Sequence, residues 1–282
     1  MKEPRNKKLY DVLRRARNLS PHDLQNVKTS NYHLVKDFVD IPVIGIYSNI
    51  DDIKWNTLPD KFVIKSDIGC SCNNVKCLIK KTTSVITNNK SNKANEANKA
   101  NKSNKSNNKS TVVIYRDKLH RVDLNLSQIK NFFRGQNPII IEKFLSDKTQ
   151  GKIPFDFKFY MAYDEMLFLR VIDRNGKDNK SKVAIFDQFL KRIPHNEWFK
   201  PSGNNYLIAK ESFELPTQIK EVIETSINIS TYLKIPFVST DMYVLSNGKF
   251  YLGELTYTPG PLHPVATGLG RGFLPHSNPK LK

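Results

Sequence analysis

Two runs of strand-forming residues flank the dipeptide Asn247-Gly248, one over residues 238–245 and the other over residues 249–256. Asn-Gly between such runs favours a two-residue type I′ turn, because both central residues of that turn need a positive φ. A two-residue turn fixes the register of the hairpin, and counting outward from it pairs Asp241 with Glu254. The sequence therefore predicts an antiparallel hairpin that carries two opposed carboxylates.

Two carboxylates in this arrangement repel each other, because directly opposed side chains share a face with Cβ atoms roughly 4.5–5.5 Å apart. A hard divalent cation such as Mg²⁺ would remove the repulsion, since it takes oxygen ligands. Thr256 follows Glu254 on the same face and is the candidate third ligand, so the predicted metal ligands are Asp241, Glu254 and Thr256. The alternative is a solvated hairpin end with one carboxylate protonated or turned toward water.

The chain of 282 residues has a formal net charge of +18. Residues 88–110 form a near-repeat of Asn, Lys, Ser and Ala that we predict to be a disordered insert, because it holds no apolar residue larger than alanine. The remainder is still strongly basic, which favours anionic partners such as nucleotides and acidic polysaccharides. We do not expect nucleic acid as a partner, because no binding motif for it is present.

No apolar run approaches the roughly 18 residues of a membrane span, and the basic N-terminus lacks the apolar region of a signal peptide. Three cysteines do not form a disulfide framework, so we expect a cytoplasmic protein. Cys70, Cys72 and Cys77 could ligate zinc, but a fourth ligand at a familiar spacing is missing.

Hydrophobic patterning predicts an α+β fold with mostly antiparallel sheets. The predicted helices cover residues 9–36, 124–133 and 217–233, the last with Ile219, Val222, Ile223 and Ile227 on one face. Besides the hairpin, the predicted strands cover residues 61–65, 112–115, 139–141, 157–163 and 166–172, and a short buried strand covers 41–47.

Five motifs in this order resemble the TupA-like ATP-grasp family, which is named for a protein of teichuronopeptide biosynthesis and is distantly related to D-alanine:D-alanine ligase and glutathione synthetase. The resemblance covers roughly residues 30–265. The motifs are Leu58-Pro59-Asp60-Lys61-Phe62-Val63-Ile64-Lys65, Ile140-Ile141-Glu142-Lys143-Phe144-Leu145, Pro154-Phe155-Asp156-Phe157-Lys158-Phe159, Asp241-Met242-Tyr243 and Gly253-Glu254-Leu255-Thr256-Tyr257-Thr258-Pro259-Gly260.

The resemblance implies an ATP-grasp fold, with two lobes of mostly antiparallel sheet and helices that enclose a nucleotide cleft. It implies an N-terminal region over residues 1–57, a small (lid) subdomain over 58–145 and a large subdomain with the metal site over 146–282. The implied cofactors are ATP and Mg²⁺, and the implied partner is an acidic small molecule or a polysaccharide acceptor. The implied reaction is carboxylate–amine ligation through an acyl phosphate, in the biosynthesis of a polysaccharide or another cell-surface polymer.

The resemblance also implies roles for single residues. Those expected to contact ATP are Lys65 at the phosphates, Gly69 and Ser71 in a phosphate-covering loop over residues 66–74, Glu142 and Phe144 at the adenine hinge, and Lys158 at the phosphates. The expected catalytic residues are Lys158 and Arg170, and the expected metal ligands are Asp241, Glu254 and Thr256.

The sequence departs from the family pattern at two places. Ser239 stands where relatives carry an arginine, and Asn31-Tyr32 stands where Asp-Lys is expected. Arg170 and Arg174 are the candidates to supply the missing charge. Three alternatives to a working ligase stay open: a degenerate ATP-grasp protein, a basic module that holds anionic polymers without turnover, and an ATP-grasp kinase that acts on a sugar hydroxyl.

Overall fold

The structure is a computed structural model, and it describes residues 27–67, 74–86, 109–147, 153–176, 181–194, 206–208, 213–235 and 237–257. The described residues form two compact units, each built on a sheet. The small unit contains residues 46–66 and 74–144. The large unit contains residues up to Gly45, Asp67 and the residues from Leu145 onward.

The first sheet has six strands in the order β1-β6-β2-β3-β4-β5. Its hydrophobic core, which includes Phe62, Ile64, Leu78 and Ile141, is closed by helix α2 (Leu126–Phe133) through Ile129 and Phe133. Asn125 and Gln128 form a capping box at the start of α2, which satisfies two backbone donors there. The strands are β1 (Val43–Tyr47), β2 (Lys61–Ser66), β3 (Val75–Ile86), β4 (Lys109–Asp117), β5 (Val122–Leu124) and β6 (Ile139–Lys143).

The second sheet belongs to the large unit and has the order β10-β9-β8-β7-β11-β12. Its pairs are antiparallel except for β10 with β9. The strands are β7 (Asp156–Ala162), β8 (Glu165–Asp173), β9 (Ser181–Asp187), β10 (Tyr206–Ile208), β11 (Val238–Val244) and β12 (Phe250–Thr256), and the large unit also contains helices α1 (Lys28–Val35) and α3 (Ile219–Leu233).

Helix α3 covers one face of the second sheet. Thr240 on β11 is fully buried, and its hydroxyl donates a hydrogen bond of 2.8 Å to the hydroxyl of Ser226 on α3. Since side chains alternate across a strand, Ser239 and Asp241 lie on the other face. The polar side chains of β11 described below therefore lie on the face opposite α3.

The α+β fold with mostly antiparallel sheets is confirmed, but several details differ from prediction. Strand β1 is not buried as predicted, because it lies at an edge of the first sheet with Ile44 and Ile46 each more than 40% exposed. The buried face of α3 runs through Val222, Ser226 and Ile229, whereas Ile223 and Ile227 are only half-buried.

Some predicted segments lie outside the described residues. Of the predicted helix over 9–36, the structure describes the part from residue 27, where α1 begins at Lys28. The predicted insert over 88–110 also lies outside, except for Lys109 and Ser110, which belong to β4. The predicted three-part division of the chain stays a prediction. Among the described residues, no helix is long and apolar enough to cross a membrane.

Candidate functional site

The hairpin of β11 and β12 brings Asp241 directly opposite Glu254, as predicted. The predicted two-residue turn is wrong, because the Leu245 N–H donates to the carbonyl of Lys249 at 2.8 Å and the loop holds three residues, 246–248. Gly248 adopts the positive φ of +85° that a three-residue loop needs. The longer loop would shift the register by one, and a bulge at Gly253 restores it before Glu254 is reached.

Four charged residues form a row across four neighbouring strands of the second sheet. Arg170 on β8 pairs with Lys158 on β7, Lys158 pairs with Asp241 on β11, and Asp241 pairs with Glu254 on β12. Directly paired residues point to the same face, so all four lie on the face opposite α3. We call Arg170, Lys158, Asp241 and Glu254 the charged row, with two cations followed by two anions.

Asp241 is buried and has two neighbours that stabilise its ionised form. The ammonium of Lys158 forms an ion pair with one of its oxygens, and the hydroxyl of Ser239 donates to the other at 2.9 Å. Burial nevertheless raises the pKa of Asp241 to about 6, with the charges of Asp156 and Glu254 adding to the rise and Lys158 opposing it. The carboxylate thus stands in a crowded negative environment that one lysine does not fully neutralise.

Asp156 adds a third carboxylate beside the charged row. It precedes Lys158 by two residues on β7, lies 3.6 Å from the ammonium of that lysine and accepts a hydrogen bond of 2.7 Å from Arg174. Burial alone would raise the pKa of Asp156, but Lys158 and Arg174 hold it below its usual value. Burial likewise opposes the charge of Lys158, yet Asp156 and Asp241 raise its pKa above its usual value. Lys158 is therefore a permanent cation shared by two aspartates.

Glu254 forms an ion pair with a lysine other than Lys158. The ammonium of Lys28, at the start of α1, lies 3.5 Å from a carboxylate oxygen of Glu254 and donates a hydrogen bond of 3.2 Å to the carbonyl of Asp67. Thr29 donates its backbone N–H and its hydroxyl to the side chain of Asp67, at 2.7 and 2.9 Å. These contacts hold the beginning of α1 beside Asp67 and Glu254.

A second set of contacts fastens α1 to β12. The hydroxyl of Tyr32 donates to the carbonyl of Gly253 at 2.9 Å, and the hydroxyl of Tyr257 donates to the side chain of Asn31 at 2.7 Å. Asn31 and Tyr32, which depart from the expected Asp-Lys, are thus buried and connect α1 to Tyr257, the residue after β12, and to Gly253 of β12.

The donor set around Asp241 suits a hard cation, since it offers two carboxylates in register and crowded negative charge that such an ion would relieve. Thr256 is paired with Ser239, one step along the same face from the Asp241–Glu254 pair. No cluster of three or more His, Cys, Asp or Glu residues suited to a metal occurs in the described part of the chain. A metal there would consequently need the hydroxyl of Thr256, water or a ligand to complete its coordination.

The remaining predicted nucleotide contacts include three residues of the small unit. Lys65 on β2 and Glu142 on β6 form a buried ion pair of 2.7 Å, and Phe144 follows β6 half-buried. Gly69 and Ser71 lie outside the described residues, as do Cys70 and Cys72, and Cys77 is a half-buried residue of β3. The roles predicted for these residues stay predictions.

Sequence reasoning missed Asp156, Lys28 and Asp67 as parts of the site. The spacing of Asp156 and Lys158 could have predicted that Asp156 belongs to the site, since residues two apart on a strand share a face. Lys28 and Asp67 carried no such signal, because they are brought to Glu254 by the packing of α1.

Three solved structures illustrate what the chain resembles. D-alanine–D-alanine ligase from Bacillus anthracis with ATP is 16% identical with a TM-score of 0.44, covering 83% of this chain and 56% of that chain. The macrocyclase MdnC from Microcystis aeruginosa with its precursor peptide MdnA is 10% identical with a TM-score of 0.42, covering 89% and 61%. The ATP-grasp ligase PsnB with a minimal precursor is 10% identical with a TM-score of 0.43, covering 85% and 54%.

Likenesses of this size say nothing about activity, and the chain spans somewhat more than half the length of these structures. A direct comparison with curated proteins gives no match. The model of one family, TupA-like ATPgrasp, matches residues 7–266, which is most of the chain. The chain therefore belongs to the TupA-like ATP-grasp family.

Proposed function

We propose that this protein is an ATP- and Mg²⁺-dependent ligase that joins a carboxylate to an amine through an acyl phosphate. The observation that carries the proposal is the charged row, with two cations beside two carboxylates on one face of the second sheet. Phosphoryl transfer needs little covalent chemistry from the protein and depends on positioning and on neutralising charge. The charged row offers groups for both tasks within one unit.

Asp241 and Glu254 would hold the Mg²⁺, with Thr256 as the third protein oxygen. When bound, the ion would neutralise phosphate charge. The raised pKa of Asp241, which results from burial and from neighbouring carboxylates, supports this assignment because a divalent cation would relieve the same crowding.

Lys158 and Arg170 would bind the phosphate oxygens of the nucleotide and of the acyl phosphate. Asp156 orients Lys158 from 3.6 Å and holds Arg174 at 2.7 Å, so that guanidinium would substitute for the arginine that Ser239 replaces. Ser239 itself donates to Asp241 at 2.9 Å and would orient that carboxylate.

In the small unit, Lys65 would bind ATP phosphates and Glu142 would set the position of the Lys65 ammonium through their ion pair of 2.7 Å. Phe144 would contact the adenine. In the loop over residues 66–74, the backbone N–H groups at Gly69 and Ser71 would cover the phosphates, since such groups form anion-binding concavities.

The acceptor would be an acidic small molecule or a polysaccharide, in the biosynthesis of a cell-surface polymer. The net charge of +18 supports an anionic acceptor, because a basic surface raises the local concentration of anions. In the reaction, the substrate carboxylate takes the γ-phosphoryl group and releases ADP. The amine then attacks the acyl carbon and releases phosphate.

Isothermal titration with a non-hydrolysable ATP analogue, with and without Mg²⁺, tests the nucleotide site. We expect binding that requires Mg²⁺ and that is lost in Asp241→Asn but kept in Asp37→Asn, a matched change at an exposed aspartate. A wild-type protein that binds no analogue in the presence of Mg²⁺ would refute the proposal.

A binder without turnover is the second candidate, and the observation that favours it is the serine hydroxyl of Ser239 where a guanidinium is expected. ADP release in the presence of carboxylate and amine substrates separates the two, since only a ligase gives it. Comparing carboxylate with sugar-hydroxyl acceptors in the same assay would identify a kinase. A module that holds anionic polymers would bind the polymer equally well as the wild type and as Asp241→Asn, and this binding would be lost at high salt.

A further inference from the structure

Each carboxylate of the predicted metal pair is matched by its own lysine. Asp241 forms an ion pair with Lys158 on β7, and Glu254 lies 3.5 Å from the ammonium of Lys28 on α1. Both lysine side chains are largely buried, with 19% and 6% of their surface exposed. Each of the two paired carboxylates therefore has a separate cation of the chain beside it.

Each lysine also has a second oxygen partner that is not a predicted metal ligand. Lys158 lies 3.6 Å from a carboxylate oxygen of Asp156, and Lys28 donates to the carbonyl of Asp67 at 3.2 Å. A buried ammonium needs such partners, because leaving it unpaired in the interior is costly. Each lysine can thus move away from the metal pair while an oxygen partner still holds its ammonium.

A carboxylate oxygen that pairs with an ammonium is less available to a metal ion, and an ammonium beside the site repels the ion. We propose that Lys28 and Lys158 are resident counter-ions that a divalent cation must displace from Glu254 and Asp241. This inference rests on the metal site of the proposed function and adds the way in which that site is regulated.

The consequence is a coupling between metal and nucleotide. A metal alone gains two carboxylates but separates Lys28 from Glu254 and Lys158 from Asp241, so it binds weakly. A metal that arrives with nucleotide phosphates brings anionic oxygens that accept the displaced ammonium groups. Since linkage is reciprocal, the nucleotide must raise the affinity for the metal by the same factor as the metal raises that for the nucleotide.

The test is the affinity of the full chain for Mn²⁺ alone, measured by electron paramagnetic resonance of the free ion. The proteins compared are the wild type, Lys28→Met, Lys158→Met, the charge-retaining Lys28→Arg, and Lys220→Met as a matched change at an exposed lysine of α3. We expect Lys28→Met and Lys158→Met each to bind Mn²⁺ about tenfold more tightly, which corresponds to about 1.4 kcal/mol. Lys28→Arg and Lys220→Met should match the wild type.

A second measurement gives the coupling itself, as the ratio of affinities for the non-hydrolysable ATP analogue with and without Mn²⁺. This ratio should fall about tenfold in Lys28→Met and stay unchanged in Lys220→Met. Lys158→Met leaves buried Asp156 and Asp241 without their shared cation, so circular dichroism must first show that it folds. If Lys158→Met does not fold, Lys28→Met still decides the test. Its partner Glu254 is partly exposed, so we expect this variant to fold.

Mn²⁺ affinity that is unchanged or weaker in Lys28→Met and in folded Lys158→Met would overturn the inference. That result is distinct from failure of the proposed function, which would appear as a wild type that binds no metal–nucleotide complex. Tighter Mn²⁺ binding in the variants would support the counter-ion role even if no ligation were found.

Discussion

Replacing Asp241 with asparagine should stabilise the metal-free protein at neutral pH. The pKa of Asp241 is raised from 3.8 to about 6, chiefly by burial, so the folded protein binds this proton more tightly than the unfolded chain does. The stability that protonation provides is complete below about pH 4 and is lost as the pH rises through about 6. At about 1.36 kcal/mol for each pH unit, the ionised carboxylate costs about 3 kcal/mol at pH 7.

Asparagine keeps the size of the protonated side chain and has no charge to lose. We expect Asp241→Asn to raise the free energy of unfolding by about 1–3 kcal/mol at pH 7, with a gain that disappears near pH 4. The attraction of Lys158 is already included in the pKa of Asp241, and in the variant Lys158 retains Asp156 as a partner.

The assay is urea unfolding between pH 4 and pH 7.5 in the presence of a chelator, followed by far-ultraviolet circular dichroism, with Asp37→Asn as the exposed control. Amide hydrogen exchange over residues 239–242 assigns the change to β11. An Asp241→Asn protein that is less stable than the wild type at pH 7, or a difference that does not vary with pH, would refute the reasoning. With Mg²⁺ and the ATP analogue added, the wild type should become more stable than Asp241→Asn, because a ligand that binds only the folded wild type stabilises it.

Three further perturbations test other parts of the structure. Gly253→Ala places a Cβ 2.6 Å from Cε2 of Tyr243 and should cost about 1–3 kcal/mol in thermal or urea unfolding; the double variant with Tyr243→Ala should recover part of the loss, and full stability of the single variant would contradict the close contact. Thr240→Val removes the hydroxyl that bonds Ser226 and should cost about 1 kcal/mol while leaving the titrated affinity for the ATP analogue unchanged, since Thr240 faces α3; a loss of affinity would show that the two faces are not independent. Lys65→Met should destabilise the protein by about 3–5 kcal/mol by removing the ammonium that forms an ion pair with buried Glu142; adding Glu142→Leu should restore stability but not analogue binding, and restored binding would remove Lys65 from the nucleotide site.

Local sequence was sufficient for the strands of the second sheet that carry the site. Alternation of Lys158 with Phe157 and Phe159 marked β7. The two-residue turn between β7 and β8 would by itself place Leu169 opposite Lys158, and a bulge at Leu167 brings Arg170 there instead. The pairing of β7 with β11 joins residues 83 positions apart, and no local pattern encodes it. The sequence therefore predicted the Asp241–Glu254 half of the charged row, but neither the pairing of Lys158 with Arg170 nor the row as a whole.

Sheet edges and buried hydroxyl groups explain why the burial of some residues differs from the burial predicted from the sequence. Ile44 and Ile46 look like core residues, yet β1 lies at a sheet edge and leaves them exposed. Ser226 looks like a surface residue on α3, yet its hydroxyl bonds to Val222 and Thr240 and lets it be buried. Whether such a residue is inside depends on partners that are distant in sequence, which hydrophobic periodicity does not report.

The hairpin that carries Asp241 and Glu254 has a consequence for comparing sequences. Its loop has one residue more than a two-residue turn, and Gly253 compensates as a bulge of one residue on the second strand. A relative that lacked both features would have two fewer residues between its carboxylates and yet the same facing pair. Alignments that treat the spacing of the two acidic residues as fixed would place a gap in the wrong strand or reject such a relative. Homologues of this hairpin are better matched by cross-strand register than by residue count.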